Sequence, residues 1–275
     1  MTARLAVSNL AWPTEQDDAA FALLARLSVA GVEVAPTRLA TWDALSAVQL
    51  ADYRARLAAS GLAVSSLQAV LFGRPELQLL GEAAAFAAMR EHIRQVSDVA
   101  VQLGGRTMVF GSPRNRLRGA MAPEAAWTLA RERLHLLGET AAAADVVIGV
   151  EPVPAFYGGD FLTSWEDVLR MVQEVESPGL RVHLDTGCVS LGGGVIQTAI
   201  AACADSLVHF HAAQVELGSF ENPDPGHAEA AAALQRIGYN GWVAIEMRQQ
   251  PTEPLAAVAQ AVRLVRSVYP IDCGT

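Results

Sequence analysis

Lysine is absent from this chain. All 20 of its basic residues are arginine, set against 29 acidic ones, and the formal net charge of its 275 residues is −9. An acidic chain gains little from the phosphate field of nucleic acid, which rewards basic surfaces, so no nucleic-acid partner is expected. Cysteine is scarce. Cys188, Cys203 and Cys273 form no CxxC pair and no even framework, a pattern of reduced thiols in a cytoplasmic protein. No apolar run reaches the roughly 18 residues of a membrane span, and the opening MTARLAVSNLAW lacks the basic, apolar, small-residue order of a signal peptide. No membrane association is expected. No GxGxxG follows an apolar run, so the usual dinucleotide fingerprint is missing as well.

What is present is apolar residue in quantity, 52% of the chain, and a regular alternation. Eight short runs rich in Val, Leu and Ile fall at Arg4–Ser8, Gly31–Ala35, Ala63–Leu67, Arg106–Phe110, Val146–Glu151, Leu180–Asp185, Leu207–His211 and Trp242–Met247. Near-continuous apolar strands fit a parallel sheet covered on both faces. The Ala/Leu/Arg/Glu-rich stretches between them read as helices. Thr163 and Glu166 have the spacing of a capping box, and Gly31, Gly61 and Gly104 stand where helices should end. Eight strand–helix units in one chain of this length predict a (β/α)8 TIM barrel, a single domain over residues 1–275. A doubly wound open sheet is the competing topology, which periodicity does not exclude.

In such a barrel the C-terminal ends of the strands form the reactive face. The fifth run ends at Glu151, the sixth at Asp185, the seventh at His211 and the eighth at Glu246. Each of these alone has a structural reading: a strand-end carboxylate caps the next helix, and a lone histidine is a hydrogen-bonded core residue. Together, on four consecutive strands, they suit a hard or borderline divalent ion such as Mn²⁺, Mg²⁺, Co²⁺ or Zn²⁺. Buried carboxylates without a cation would repel one another and be driven toward protonation. The run Asp185-Thr186-Gly187 also occurs in aspartic proteases, but that chemistry needs two such carboxylates and this chain has one DTG.

These strand ends, with VEP around Glu151, LDTG around Asp185, HFH around His211 and IEM around Glu246, resemble the xylose isomerase-like TIM barrels, a superfamily of sugar phosphate isomerases and epimerases with an AP endonuclease branch. They match the metal set of the ketose 3-epimerases. The resemblance implies one divalent ion on Glu151, Asp185, His211 and Glu246. It also implies that Glu151 and Glu246 are the catalytic acid/base pair, moving a proton on and off the carbon beside a carbonyl through an enediolate. The substrate class implied is a hydroxy-ketone: a sugar, sugar phosphate or cyclitol. A homodimer is among the assemblies the resemblance allows. The chain departs from the family pattern at Cys188 in place of histidine, Tyr157 in place of glutamate and Leu217 in place of arginine, positions that hold sugar hydroxyls there. Cys188 and Tyr157 are therefore candidate substrate contacts, and a free ketose is in doubt as substrate. Cys188 reads equally as a packing residue.

Other polar residues divide between two readings. Arg114 and Arg116 in FGSPRNR follow the fourth run and either grip an anionic group or belong to a solvated loop. Arg248 lies two residues past Glu246, as a substrate contact or an ion-pair partner of a metal carboxylate. His227 is a substrate group or a surface residue opening a helix. Glu33, closing the second run, is a substrate contact or a cap. His183 and His209 share the inward face of the residues two positions on and read as support or core. Trp12 and Phe156 read as pocket wall or core. Two other functions compete with the isomerase: a metal-dependent phosphodiesterase of the AP endonuclease branch, against which Cys188 and the acidic balance argue, and a non-catalytic ligand-binding barrel, against which the four intact ligands argue.

Overall fold

The structure, a computed structural model, describes residues 2–224 and 226–272. Eight strands run β1 (Arg4–Ser8), β2 (Gly31–Val34), β3 (Ala63–Leu67), β4 (Thr107–Phe110), β5 (Val147–Val150), β6 (Leu180–Asp185), β7 (Leu207–Ala213) and β8 (Trp242–Glu246). All pair in parallel, each with its sequence neighbours, and β8 closes onto β1 through Leu5↔Val243 and Val7↔Ile245. The open sheet is thereby excluded, and the molecule is a single TIM barrel. The strands are buried on both faces because helices cover the outside and side chains fill the lumen.

The helices are α1 (Asp17–Arg26), α2 (Ala47–Ala59), α3 (Ala83–Leu103), α4 (Pro123–Ala142), α5 (Trp165–Val175), α6 (Thr186–Leu191), α7 (Ile196–Ala202), α8 (Gly226–Arg236) and α9 (Pro254–Val268). Among the described residues none is long and apolar enough to cross a membrane. Gly104 ends α3 at φ 90°, a left-handed turn that favours glycine. Gly31 does not end a helix. It starts β2, where a Cβ would lie 2.8 Å from the Ala63 carbonyl and the Trp242 ring. The cap of α5 is also offset by one residue: Ser164, not Thr163, accepts the Asp167 N–H. The capping box that does form is Ser46 with Gln49, opening α2. Cys188 and Cys203 are free thiols, and Cys273 lies outside the described residues.

Two register shifts interrupt the barrel, one between Val32 and Glu33 and one between Val182 and His183. Such bulges re-aim the side chain that follows. Both therefore sit directly before a polar residue of the barrel interior.

Candidate metal centre

Glu151 follows the tip of β5, while Asp185, His211 and Glu246 lie on β6, β7 and β8. Asp185 pairs with His211, but Val150 pairs with Val182 and Glu246 with Ala213. The set thus steps up by two residues between β5 and β6 and again between β7 and β8. Tilted, staggered strands need such steps to bring residues to one height around a barrel. The result is convergence: each of the four offers an oxygen or nitrogen within 4.8 Å of the others.

Asp185 divides its two oxygens. Oδ1 accepts the Cys188 N–H at 2.7 Å and so caps α6, while Oδ2 has no hydrogen-bond partner among the described residues. Thr186 donates its hydroxyl to the Ala213 carbonyl at 2.6 Å. A Cβ on Gly187 would meet the Gln214 carbonyl at 2.7 Å, so the chain can turn this closely past β7 only with glycine here. His211 places Nδ1 at 3.5 Å from Asp185 Oδ2 and 3.2 Å from Glu246 Oε2. Its Nε2 faces Glu33, 2.8 Å from Oε2 and 3.0 Å from Oε1.

The electrostatics are those of crowded negative charge. Burial, then Asp185 and Glu246, push the Glu151 carboxyl up to about 8. Burial also raises Glu246, against the opposing pull of His211. Burial alone would depress His211, but Glu33 and Glu246 outweigh it and hold the imidazole well above its usual range. Two orphaned buried atoms, Asp185 Oδ2 and His211 Nδ1, therefore face one point among three carboxylates. That donor set fits a divalent ion held by oxygen and imidazole nitrogen.

A cavity of about 200 Å³ opens over Glu151, His211 and Glu246, with Leu10, Gln68, Val109, Gly111 and Ser112 in its wall. Gly111 permits the Glu151 carboxylate its place, since a Cβ there would lie 1.9 Å from Oε2. Cys188 reaches the same carboxylate, its Sγ 3.7 Å from Oε1, so the thiol touches a member of the cluster. Burial drives that thiol well above its usual range.

Of the other sequence candidates, Tyr157 is half-buried and hydrogen-bonded to the Glu216 backbone, close enough to Cys188, Asp185 and Glu246 for their charges to raise it along with burial. Arg248 is exposed and donates to the Glu216 carbonyl, with no ion pair to a cluster carboxylate among the described residues. Arg114 is exposed and lies outside the cavity wall. Arg116 is neither a solvated loop residue nor exposed to an anion. It is buried against Phe110 and donates to the Glu151 backbone carbonyl at 2.7 Å, and burial pulls its guanidinium down to about 10. His227 is buried at the start of α8, between Gln214 Nε2 at 2.6 Å and the Tyr269 hydroxyl at 2.7 Å, and it lines a different cavity of about 320 Å³. Trp12 is core, its Nε1 donating to Asp17, and Phe156 is exposed.

Glu33 is where sequence reasoning fell short. It is fully buried, caps no helix and is bonded to His211 and Ser66. The signal that it differs was an acid inside GVEV, with apolar residues on either side. His183 and His209 pack beneath His211, and His183, His209 and His211 form a second close group of ring nitrogens.

Residues 21–268 match the xylose isomerase-like TIM barrel, and the chain belongs to that family. It is similar to a D-psicose 3-epimerase of Enterocloster bolteae, 31% identical over 118 residues that make up 41% of this chain and 37% of the relative. It is also similar to a probable ketose 3-epimerase of Synechocystis sp., 27% identical over 140 residues, 51% of this chain and 47% of the other. The matches span less than half the length of either curated relative. Among solved structures, D-psicose 3-epimerase from Clostridium cellulolyticum H10, determined with D-tagatose, superposes with a TM-score of 0.80 over 96% of this chain and 99% of the other, at 16% identity. That likeness is one of fold.

Proposed function

We propose that this chain is a divalent-metal-dependent epimerase or isomerase of a sugar, sugar phosphate or cyclitol that carries a carbonyl beside a hydroxyl-bearing carbon. The observation that carries this reading is the convergence of Glu151, Asp185, His211 and Glu246, three of them lining one small cavity, with orphaned buried atoms on Asp185 and His211. Its relatives named as ketose 3-epimerases point the same way.

The four residues would hold one Mn²⁺, Mg²⁺, Co²⁺ or Zn²⁺ ion. Bound there, the ion would supply positive charge that offsets negative charge developing on the substrate oxygens. Glu151 and Glu246 reach the centre from β5 and β8, separate sides of the cavity floor. One removes the proton from the carbon beside the carbonyl; the other returns a proton to it, from the opposite face in an epimerisation. Cys188, with its thiol beside Glu151, and Tyr157, bonded to the Glu216 backbone after β7, would offer a thiol and a phenol to the substrate. The second imidazole group favours one ion over a multi-ion nuclease centre, because His183 and His209 bond to each other and His209 to Ser66.

The test is hydrogen exchange. The Mn²⁺-loaded protein is incubated in D₂O with ketoses, ketose phosphates and inososes, and NMR follows deuterium at the carbon beside the carbonyl. Exchange with at least one of them, lost in Glu151→Gln and Glu246→Gln, is the expected result. Exchange at wild-type rates in both variants would remove the two glutamates from the chemistry.

A further inference from the structure

Behind the four converging residues runs a chain of buried polar contacts. Glu33 Oε1 accepts the Ser66 hydroxyl at 2.8 Å, Ser66 Oγ lies 2.8 Å from His209 Nε2, and His209 Nδ1 lies 3.1 Å from His183 Nδ1. All four residues are buried, Ser66, His183 and His209 as completely as Glu33. A register shift directly precedes Glu33, and another precedes His183, at the two ends of this chain.

The direction of every hydrogen bond follows from Glu33. Its two oxygens face groups that can donate, His211 Nε2 and the Ser66 hydroxyl, so the carboxylate accepts from both. His211 Nε2, facing both of its oxygens, must then carry the ring proton, which leaves Nδ1 as the nitrogen turned to Asp185 and Glu246. Ser66 has one hydroxyl proton, and it goes to Glu33. Its oxygen must therefore accept from His209 Nε2–H, and from the Ser65 hydroxyl 3.0 Å away. Both rings are fully buried, where an imidazolium is costly, and two Nδ1 atoms in contact cannot both carry a proton. His209 Nδ1 is then bare and accepts from His183 Nδ1–H. His183 Nε2, 3.7 Å from Glu151 Oε1 and without a partner among the described residues, ends the chain as a lone pair.

We infer that Glu33 is a positioning residue: its carboxylate, directly and through Ser66, selects which ring nitrogen carries the proton in His211, His209 and His183, and so presents His211 Nδ1 to the cluster as a ligand atom. This rests on the metal reading of that cluster for His211 alone; the states of His209 and His183 do not depend on it. Carboxylate partners of ligating histidines fix ring orientation and proton placement, and losing one costs about ten- to a hundredfold in metal affinity. A glutamine at position 33 would offer an N–H to His211 or Ser66 and permit the reverse placement.

The test is long-range ¹⁵N–¹H NMR of the histidine rings together with calorimetric titration by Zn²⁺ alone. In the metal-free wild type we expect His209 with Nε2–H and His183 with Nδ1–H; in the Zn²⁺-loaded protein, His211 with Nε2–H. Glu33→Gln should redistribute these protons and weaken Zn²⁺ by about ten- to a hundredfold. Ser66→Ala should disturb His209 and His183 but leave Zn²⁺ affinity within about threefold, since the Glu33–His211 contact survives. A folded Glu33→Gln protein with wild-type ring states and affinity would overturn the inference. So would the opposite ring protons in the wild type, a measurement that holds even if Glu33→Gln does not fold. A wild type that takes up no Zn²⁺ sinks the metal centre instead, and His209 and His183 then decide the role of Glu33.

Discussion

His211 turns Nδ1 to within 3.2 Å of Glu246 Oε2 while its other ring nitrogen lies 2.8 Å from Glu33 Oε2. One imidazole thus joins a carboxylate of the candidate centre to a carboxylate buried behind it. A proton and a divalent ion would compete for Nδ1, and that competition would make metal binding pH-dependent.

Adding a divalent ion should stabilise the protein more as pH rises. Without metal, Glu151 is pushed up to about 8 from 4.5 by burial first, then by Asp185 and Glu246. A folded pKa above the unfolded one means that the folded state binds the proton more tightly. That contribution is present below 4.5 and is lost as pH climbs through about 8. His211 adds a loss of the same sign, beginning above its ordinary 6.5. The metal replaces these protons, so thermal melts with Mn²⁺ and with EDTA should diverge little at about pH 5.5 and widely at about pH 8.5. At a hundredfold excess over Kd the gain is about 2.7 kcal/mol. A gap that narrows with rising pH would contradict the assignment.

Asp185→Asn should separate the two duties of Asp185. Asparagine caps a helix about as well as aspartate, so α6 keeps its first turn. The charge facing the centre is gone, and Mn²⁺ uptake should fall below detection while the metal-free melting temperature stays level or rises. Asp185→Ala loses the cap as well, at a cost of about 1 kcal/mol. If Asp185→Asn binds Mn²⁺ like the wild type, this oxygen is no ligand.

Gly111→Ala puts a methyl where Glu151 Oε2 now lies, 1.9 Å from the ideal Cβ. Glu151 must swing aside. Displacing a reacting group by about 1 Å costs on the order of a hundredfold in rate, so turnover should drop at least that far. Circular dichroism should show a barrel that is otherwise intact. Full activity in this variant would show that Glu151 does not need its present position.

Cys188→Ala tests whether the thiol beside Glu151 is chemistry or shape. It donates only a weak hydrogen bond, 3.7 Å from Oε1. Metal affinity should be unchanged and kcat/KM altered by less than about tenfold, below roughly 1.4 kcal/mol. Cys188→His should cut activity by filling space against Glu151. Loss of metal, or of several orders of magnitude in kcat, in the alanine variant would make the sulfur a ligand or a proton carrier.

The strands and the four converging residues were readable in one dimension for a plain reason. A barrel strand buried on both faces is largely apolar, so an acid that closes it at the C-terminal end stands out, as Asp185 does in RVHLD and Glu246 in WVAIE. Helix ends were less exact. Ser164 took the cap that Thr163 also offered, because a hydroxyl on either residue satisfies the local rule and packing chooses between them.

What the sequence by itself determined, then, was the alternation of elements and the residue types at the strand tips. Which polar groups meet was decided only by closing the barrel. Arg114 and Arg116 are two positions apart, yet one is exposed and the other is buried against Phe110, because the short helical turn at Pro113–Arg116 rotates them to different sides. His227 looked like a companion of the centre and packs elsewhere, on Gln214 and Tyr269. Glu33 and His211 stand 178 positions apart, on β2 and β7. No local pattern links them; a closed, staggered barrel puts both side chains in the same lumen, where a buried carboxylate must find a donor and a buried imidazole must place its proton.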